Sequence, residues 1–128
     1  MCLVSKWRFS KRAKKDIVCY KILEKMGEGY YTPYQDVKVD VTKPLKAVGN
    51  SITFFDPLEK RSGYIHTISD LGLVRYYING MGCSRPVIFK CIIPKGTRYH
   101  KSRDDNEYCS RKIIFDKQIQ SYEIHNIH

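Results

Sequence analysis

The chain has 128 residues, the length of one ordinary domain, and folding at this length buries about two-thirds of the surface that the unfolded chain exposes. Its composition, 42% hydrophobic and 28% charged, is typical of globular proteins and argues against disorder over most of the chain. The formal net charge of +10 favours an anionic partner, and no apolar run approaches the roughly 20 residues that cross a bilayer.

Positive charge is concentrated at the start of the chain. Six of the first fifteen residues are Lys or Arg and none is acidic. We predict a basic N-terminal arm over residues 1–15 and a single globular domain over residues 16–128. The arm is either a solvated segment or a contact for phosphates of nucleic acid or of a nucleotide. Trp7 and Phe9 lie among its basic residues, where they would stack on unpaired bases or pin the arm to the core.

Sheet-forming residues follow, with ten Tyr, five Phe and abundant Val and Ile in the chain. Asp16 to Leu23 and Val87 to Ile93 are nearly continuous apolar runs, typical of interior strands covered on both faces. Val37 to Val41 alternates apolar and charged residues, which indicates a strand with one wet face. Ser51 to Phe55 and Gly63 to Thr67 predict two further short strands.

One segment has helical periodicity. Leu71, Val74 and Ile78 fall on one face of a helix, and Ser69 is a suitable N-cap. The pattern predicts a helix over about Ser69 to Asn79. The predicted fold class is therefore α+β: a mostly antiparallel twisted sheet with one packed helix.

A second basic cluster lies between Cys91 and Phe115. Two apolar runs flank a turn, with Pro94 at its first central position, and a charged loop from Lys101 to Asn106. Strand alternation would place Arg98 and Lys112 on one face of the sheet. Together with the arm, this cluster gives the predicted anion-binding residues: Lys6, Arg8, Lys11, Arg12, Lys14, Lys15, Lys95, Arg98, Lys101, Arg103, Arg111 and Lys112.

Standard catalytic signatures are missing from the sequence, including both glycine-rich nucleotide loops and the G-x-S-x-G elbow. His66, beside Thr67, is either a candidate for general acid-base catalysis or a hydrogen-bonded structural residue. Glu107 would anchor a ribose hydroxyl or belong to a solvated loop. Tyr20 joins these three if all share one pocket. The five Cys and four His lack the paired spacing of zinc ligands, so neither a metal site nor a cofactor is predicted.

The segments Gly-Tyr-Ile-His-Thr (63–67) and Cys-Ile-Ile-Pro-Lys-Gly-Thr-Arg-Tyr (91–99) resemble a family of small uncharacterised proteins from bacteriophages and gut bacteria, and the likeness extends over residues 1–115. The resemblance implies a phage or mobile-element accessory protein that acts in the cytoplasm of a bacterial host. Its role would be binding of nucleic acid, a nucleotide or an acidic host protein, with antagonism of host defence as one outcome. A structural role in the phage particle is a further alternative.

A second set of residues is similar to the ADP-ribosyltransferase-like fold. His66-Thr67 corresponds to the family's middle strand, Pro94-Lys95-Gly96 to its late turn, and Glu107 to the carboxylate that holds the NAD ribose. The first strand departs from that pattern, because it carries Tyr20-Lys21 where the family has Arg or His. This resemblance implies NAD as cofactor and a transferase as the alternative to a non-enzymatic binding protein.

Overall fold

The computed structural model describes residues 7–33, 37–47, 64–81 and 84–120. Within them the chain forms one helix and a mostly antiparallel sheet, so the predicted α+β character is confirmed at this level, with the sheet dominant. The elements in chain order are β1 (Lys11–Arg12), β2 (Ile17–Met26), β3 (Gly29–Tyr31), β4 (Lys38–Val39), β5 (Leu45–Lys46), β6 (Ile65–Ile68), α1 (Leu71–Met81), β7 (Pro86–Ile93), β8 (Arg98–Lys101), β9 (Glu107–Ser110) and β10 (Lys112–Ile119).

The main sheet has the strand order β1-β8-β9-β6-β2-β7-β10-β5, with β3 and β4 attached beside β2. Its centre is the pair β2 and β7, which is in register from Ile17 opposite Ile93 to Glu24 opposite Pro86. Both strands have neighbours on each side, which confirms them as interior strands. The predicted run Ser51 to Phe55 lies outside the described residues.

The two faces of the sheet bury different clusters. The larger cluster contains residues from the middle strands, such as Leu23 and Ile93, together with Ala13 and Leu45. Ala13 follows β1 and Leu45 lies in β5, at opposite ends of the strand order, so the sheet curves to bring its ends around one core. The smaller cluster, which includes Ile22, lies under α1 on the other face.

The helix begins and ends two residues later than predicted, at Leu71 and Met81. Asp70 is the capping residue, because its carboxylate accepts a hydrogen bond from the N–H of Gly72 at 3.1 Å. Ser69 instead donates its hydroxyl to the carbonyl of Asp105 at 2.8 Å. The predicted apolar face is confirmed: Val74 is fully buried, and Leu71 and Ile78 pack against the same cluster.

β9 and β10 are separated by a bend at Arg111. β9 pairs with β8 and β6, whereas β10 pairs with β7 and β5. The N–H of Arg111 donates to the carbonyl of Arg98 at 3.1 Å, and the carbonyl of Arg111 accepts from Ala47 at 2.8 Å. One residue therefore connects the β8 side of the sheet to the β5 side.

The turn before β8 differs in register from the prediction. The N–H of Thr97 donates to the carbonyl of Pro94 at 3.0 Å. Pro94 is therefore the first of the four turn residues rather than the first of the two central ones. Gly96 then occupies the second central position, with φ at 89°, where type II turns require a positive φ. The N–H of Lys95 donates to the carboxylate of Asp16 at 2.8 Å, which fixes the turn against the start of β2.

Candidate anion-binding groove

A groove of about 560 Å³ opens to solvent around the bend at Arg111. Its walls come from the β1 and β8 side and from the β5 and β10 side. Among the described residues, five basic ones line it: Arg12, Lys46, Arg98, Arg111 and Lys112. None of the described lining residues is acidic, and Tyr64 is the one aromatic residue among them. A concave surface of this size and polarity can hold several anionic oxygens at once.

Three arginines in this groove are neighbours in the backbone pairing of β1, β8 and the bend. Arg12 is the direct partner of Arg98 in the β1 and β8 pair. The hydrogen bond from Arg111 to Arg98 continues that row to the bend. Like charges on directly opposite residues repel and destabilise a sheet. An anion placed over the row would remove this repulsion.

Neutral groups orient the guanidinium groups. Arg12 Nη1 donates to the carbonyl of Gly96 at 3.1 Å, and Arg98 Nη1 donates to the hydroxyl of Ser10 at 2.9 Å. The guanidinium of Arg111 lies over the ring of Tyr64, 5.2 Å from its centroid. The two hydrogen bonds hold Arg12 and Arg98 in place without supplying a negative charge.

The other predicted cations that the structure describes are outside the groove lining. Arg8 forms an ion pair with Asp105 at 3.0 Å, and Lys101 approaches the same carboxylate at 3.8 Å. Arg103 is exposed in the same loop. Four predicted residues are exposed around the β1 edge and the turn before β8: Lys11, Lys14, Lys15 and Lys95. Lys6 lies outside the described residues.

The charged loop folds around its own acids. The hydroxyl of Ser102 donates to the carboxylate of Asp104 at 2.6 Å and accepts from the N–H of Glu107 at 2.9 Å. The same oxygen of Asp104 accepts from the N–H of Asn106 at 3.1 Å. The second basic cluster of the sequence is therefore divided in space. Arg98, Arg111 and Lys112 line the groove, whereas Lys101 and Arg103 lie beside this acidic loop.

The two aromatic residues of the arm differ in burial. Trp7 is 7% exposed, pairs with Ser102 through an isolated β-bridge, and packs edge-on against the ring of His66 at 5.4 Å. It therefore pins the arm to the sheet. Phe9 is 91% exposed.

The strand register places three of the four catalytic candidates on one face of the sheet. Tyr20 is opposite Ile68 in β6, and Ile68 is opposite Glu107 in β9. His66, two residues before Ile68, lies on that face, whereas Thr67 lies on the other.

Each candidate makes contacts of a structural kind. Glu107 is 4% exposed and accepts the hydroxyl of Tyr77 at 3.0 Å; burial raises the pKa of Tyr77, and the charge of Glu107 adds to the shift. Tyr20 packs against the cluster under α1, and burial raises its pKa. Thr67 is buried beside Cys19, where burial raises the pKa of the thiol to about 11 and the Thr67 hydroxyl opposes the shift.

This side of the sheet therefore forms part of the core under α1 and Trp7, and the binding of NAD there stays a prediction. Among residues 7–33, 37–47, 64–81 and 84–120, no group of three or more His, Cys, Asp or Glu side chains is arranged to hold a metal ion. No helix in the same part of the chain has the length and apolar character needed to cross a membrane.

Lys46 and Tyr64 are among the lining residues that were missed in the sequence. Lys46 comes from the two-residue strand β5 and belongs to no basic run. Tyr64 precedes β6 and enters the groove through its contact with Arg111. No local pattern of the sequence could have assigned either residue to an anion site, because both positions depend on how distant strands pair.

Comparisons were made with models of protein families, with curated proteins and with solved structures, and none of them gives a match. The resemblances drawn from the sequence therefore remain predictions.

Proposed function

We propose that this protein binds nucleic acid through its backbone phosphates, in the groove around Arg111. The observation that carries the proposal is the row formed by Arg12, Arg98 and Arg111 in a groove whose described lining residues include five basic ones and no acid. The planar guanidinium presents paired donors that match the oxygens of a phosphate. Backbone phosphates supply most of the affinity of nucleic-acid-binding proteins.

A polymer fits the distribution of charge better than a single nucleotide. Exposed cations continue beyond the groove at Lys11, Lys14, Lys15 and Lys95. A nucleotide would occupy only the groove, whereas a strand would also run past these side chains. An acidic protein is the third candidate partner. Its scattered carboxylates match three adjacent arginines less well than backbone phosphates do.

The wider biological role follows from the sequence resemblance alone. A phage accessory protein in the bacterial cytoplasm that binds nucleic acid would reach host or phage nucleic acid directly, and antagonism of host defence is one use of such binding. The groove supports the binding step of this role. Experiments have to identify the partner in the host cell.

The test is a titration of a fluorescently labelled oligonucleotide, followed by anisotropy at several salt concentrations. The logarithm of the affinity should fall linearly with the logarithm of the salt concentration, because bound cations are released from the phosphates. Arg98→Glu should lower the affinity at least about tenfold. Arg85→Glu is the matched control, since Arg85 is exposed outside the groove and loses the same charge.

Equal binding by the two variants would refute the groove as the site. Competition by a mononucleotide as strong as by the oligonucleotide would refute the polymer and favour a nucleotide ligand. Binding that does not change with salt would exclude phosphate contacts altogether.

A further inference from the structure

Phe9 is the most exposed of the large hydrophobic side chains in the described part of the chain, at 91%. Single exposed apolar residues are common on protein surfaces, so exposure alone carries no meaning. The position of Phe9 is more informative, because it lies on the β1 edge between the pinned Trp7 and the groove residue Arg12.

The backbone around Phe9 is held in place on both sides. The N–H of Arg8 donates to the carbonyl of Lys101 at 2.9 Å, and the N–H of Ala13 donates to the carbonyl of Thr97 at 2.9 Å. Trp7, two residues before Phe9, anchors the segment to the sheet through its buried ring and its bridge to Ser102. An aromatic ring on such a fixed support can stack with a ligand at a small cost in conformational entropy.

Phe9 is also close to the row of arginines. The next residue, Ser10, accepts a hydrogen bond from Arg98 at 2.9 Å. Arg12 is three residues further on, so the two Cα atoms lie at most about 10 Å apart. Stacked nucleotides rise about 3.4 Å each, so roughly three of them cover this distance. A base at Phe9 and phosphates at Arg12 and Arg98 therefore belong to one short stretch of a strand.

We infer that the ligand is single-stranded nucleic acid and that one of its bases stacks on the ring of Phe9. This inference rests on the proposed function. Stacking on an aromatic side chain requires a base whose face is free, which a duplex does not offer. The one helix in the described residues, α1, also lacks the features of a major-groove reader: it packs on the sheet and carries a single basic residue, Arg75.

The experiment compares a labelled oligothymidylate of about 12 nucleotides with a duplex of the same length. Phe9→Ala should lower the affinity for the single strand about tenfold, since one stacked base is lost, and should leave the salt dependence and the duplex affinity unchanged. Phe9→Trp should retain or strengthen single-strand binding. Tyr76→Ala is the matched control, because Tyr76 is another exposed aromatic residue, at 78%, on α1.

Each outcome decides between the two proposals. If Phe9→Ala binds the single strand as tightly as Tyr76→Ala does, stacking on Phe9 is refuted while the groove remains. If Phe9→Ala weakens the duplex and the single strand equally, selectivity for unpaired bases is refuted. If Arg98→Glu changes neither affinity, the proposed function itself fails. A thermal melt of each variant shows that it is folded, which is expected because both rings are largely in solvent.

Discussion

The protein carries two groups of basic residues that differ in their surroundings. In the groove, Arg12 and Arg98 donate to a carbonyl and a hydroxyl, and no acidic residue is found among the lining residues that the structure describes. At the charged loop, Arg8 and Lys101 face the carboxylate of Asp105. Arginine side chains therefore form an ion pair in one place and contact neutral groups in the other. Net charge alone does not separate these two roles.

The largest expected effect is a loss of stability caused by a change in the charged loop. Ser102 is fully buried, and its hydroxyl makes hydrogen bonds with both Asp104 and Glu107. Ser102→Ala should lower the free energy of unfolding by about 2–3 kcal/mol, because buried polar groups lose their partner. Urea denaturation measures this change. Thr97→Ala removes a hydroxyl from the groove lining and should cost about 0.5 kcal/mol or less. Similar losses in both variants would contradict the structural role of the loop.

The next effect is on binding, and it compares two arginines of the same edge segment. Arg12→Gln should lower the affinity for an oligonucleotide about tenfold and reduce the salt slope by about 1, because a phosphate contact is lost. Arg8→Gln should change the affinity less than about threefold, since Arg8 is already paired with Asp105. Anisotropy titrations at several salt concentrations give both quantities. The reverse order of the two variants would show that the loop, rather than the groove, binds the anion.

Lys21 extends the comparison to a cation inside the fold. Its Nζ donates to the carbonyl of His66 at 2.8 Å, and burial lowers its pKa from 10.5 to about 8, although the nearby thiols of Cys91 and Cys19 oppose the shift. Below pH 8 both the folded and the unfolded chain hold the proton, so the cost of burying the charge is fully present. Above pH 8 the unfolded chain binds more protons, and stability rises with pH.

This rise should amount to no more than about 1 kcal/mol over one pH unit. It should end near pH 9, because above this pH the folded chain retains the protons of both Cys19 and Cys91, whose pKa values burial raises from 9.0, and the two together outweigh the proton lost by Lys21, so stability begins to fall. Urea denaturation from pH 7 to pH 10 checks the profile. Lys21→Met should abolish the rise, and a rise that persists in this variant would assign it to another group.

The smallest effect is expected from removing an acidic charge from the loop, which makes its surroundings more like those of the groove. Asp105 has a positive φ of 65°, a conformation that Asn also tolerates. Asp105→Asn should therefore change stability by less than about 1 kcal/mol while removing the charge that faces Arg8 and Lys101. The affinity for an oligonucleotide should rise a few-fold, as measured by anisotropy at low salt. An unchanged affinity would mean that these two cations lie too far from the bound strand.

Much of the fold could be predicted from the sequence, because burial on both faces leaves a contiguous apolar run. β2 and β7 show this directly, and the spacing of Leu71, Val74 and Ile78 reveals the buried face of α1. The helix bounds were less predictable, since both Ser69 and Asp70 are suitable caps and only the contact of Ser69 with the loop decides between them.

The candidate site was predicted in part. Arg98 and Lys112 were expected on one face, and both line the groove. The pairing of Arg12 with Arg98, the arrival of Lys46 from β5, and the ion pair between Arg8 and Asp105 all join residues far apart in the chain. Strand pairing over such distances is a tertiary property, so composition identified the basic residues without showing which of them face an acid.

The bend at Arg111 links the curvature of the sheet to the depth of the groove. Its amide and its carbonyl hold the two sides together, so opening of this corner would move Arg98 away from Lys46 and flatten the surface between them. A strand that contacts both sides would hold the corner closed. The exchange of the Arg111 amide hydrogen with solvent should then slow on binding, and this single amide would report occupancy of the groove without any label on the ligand.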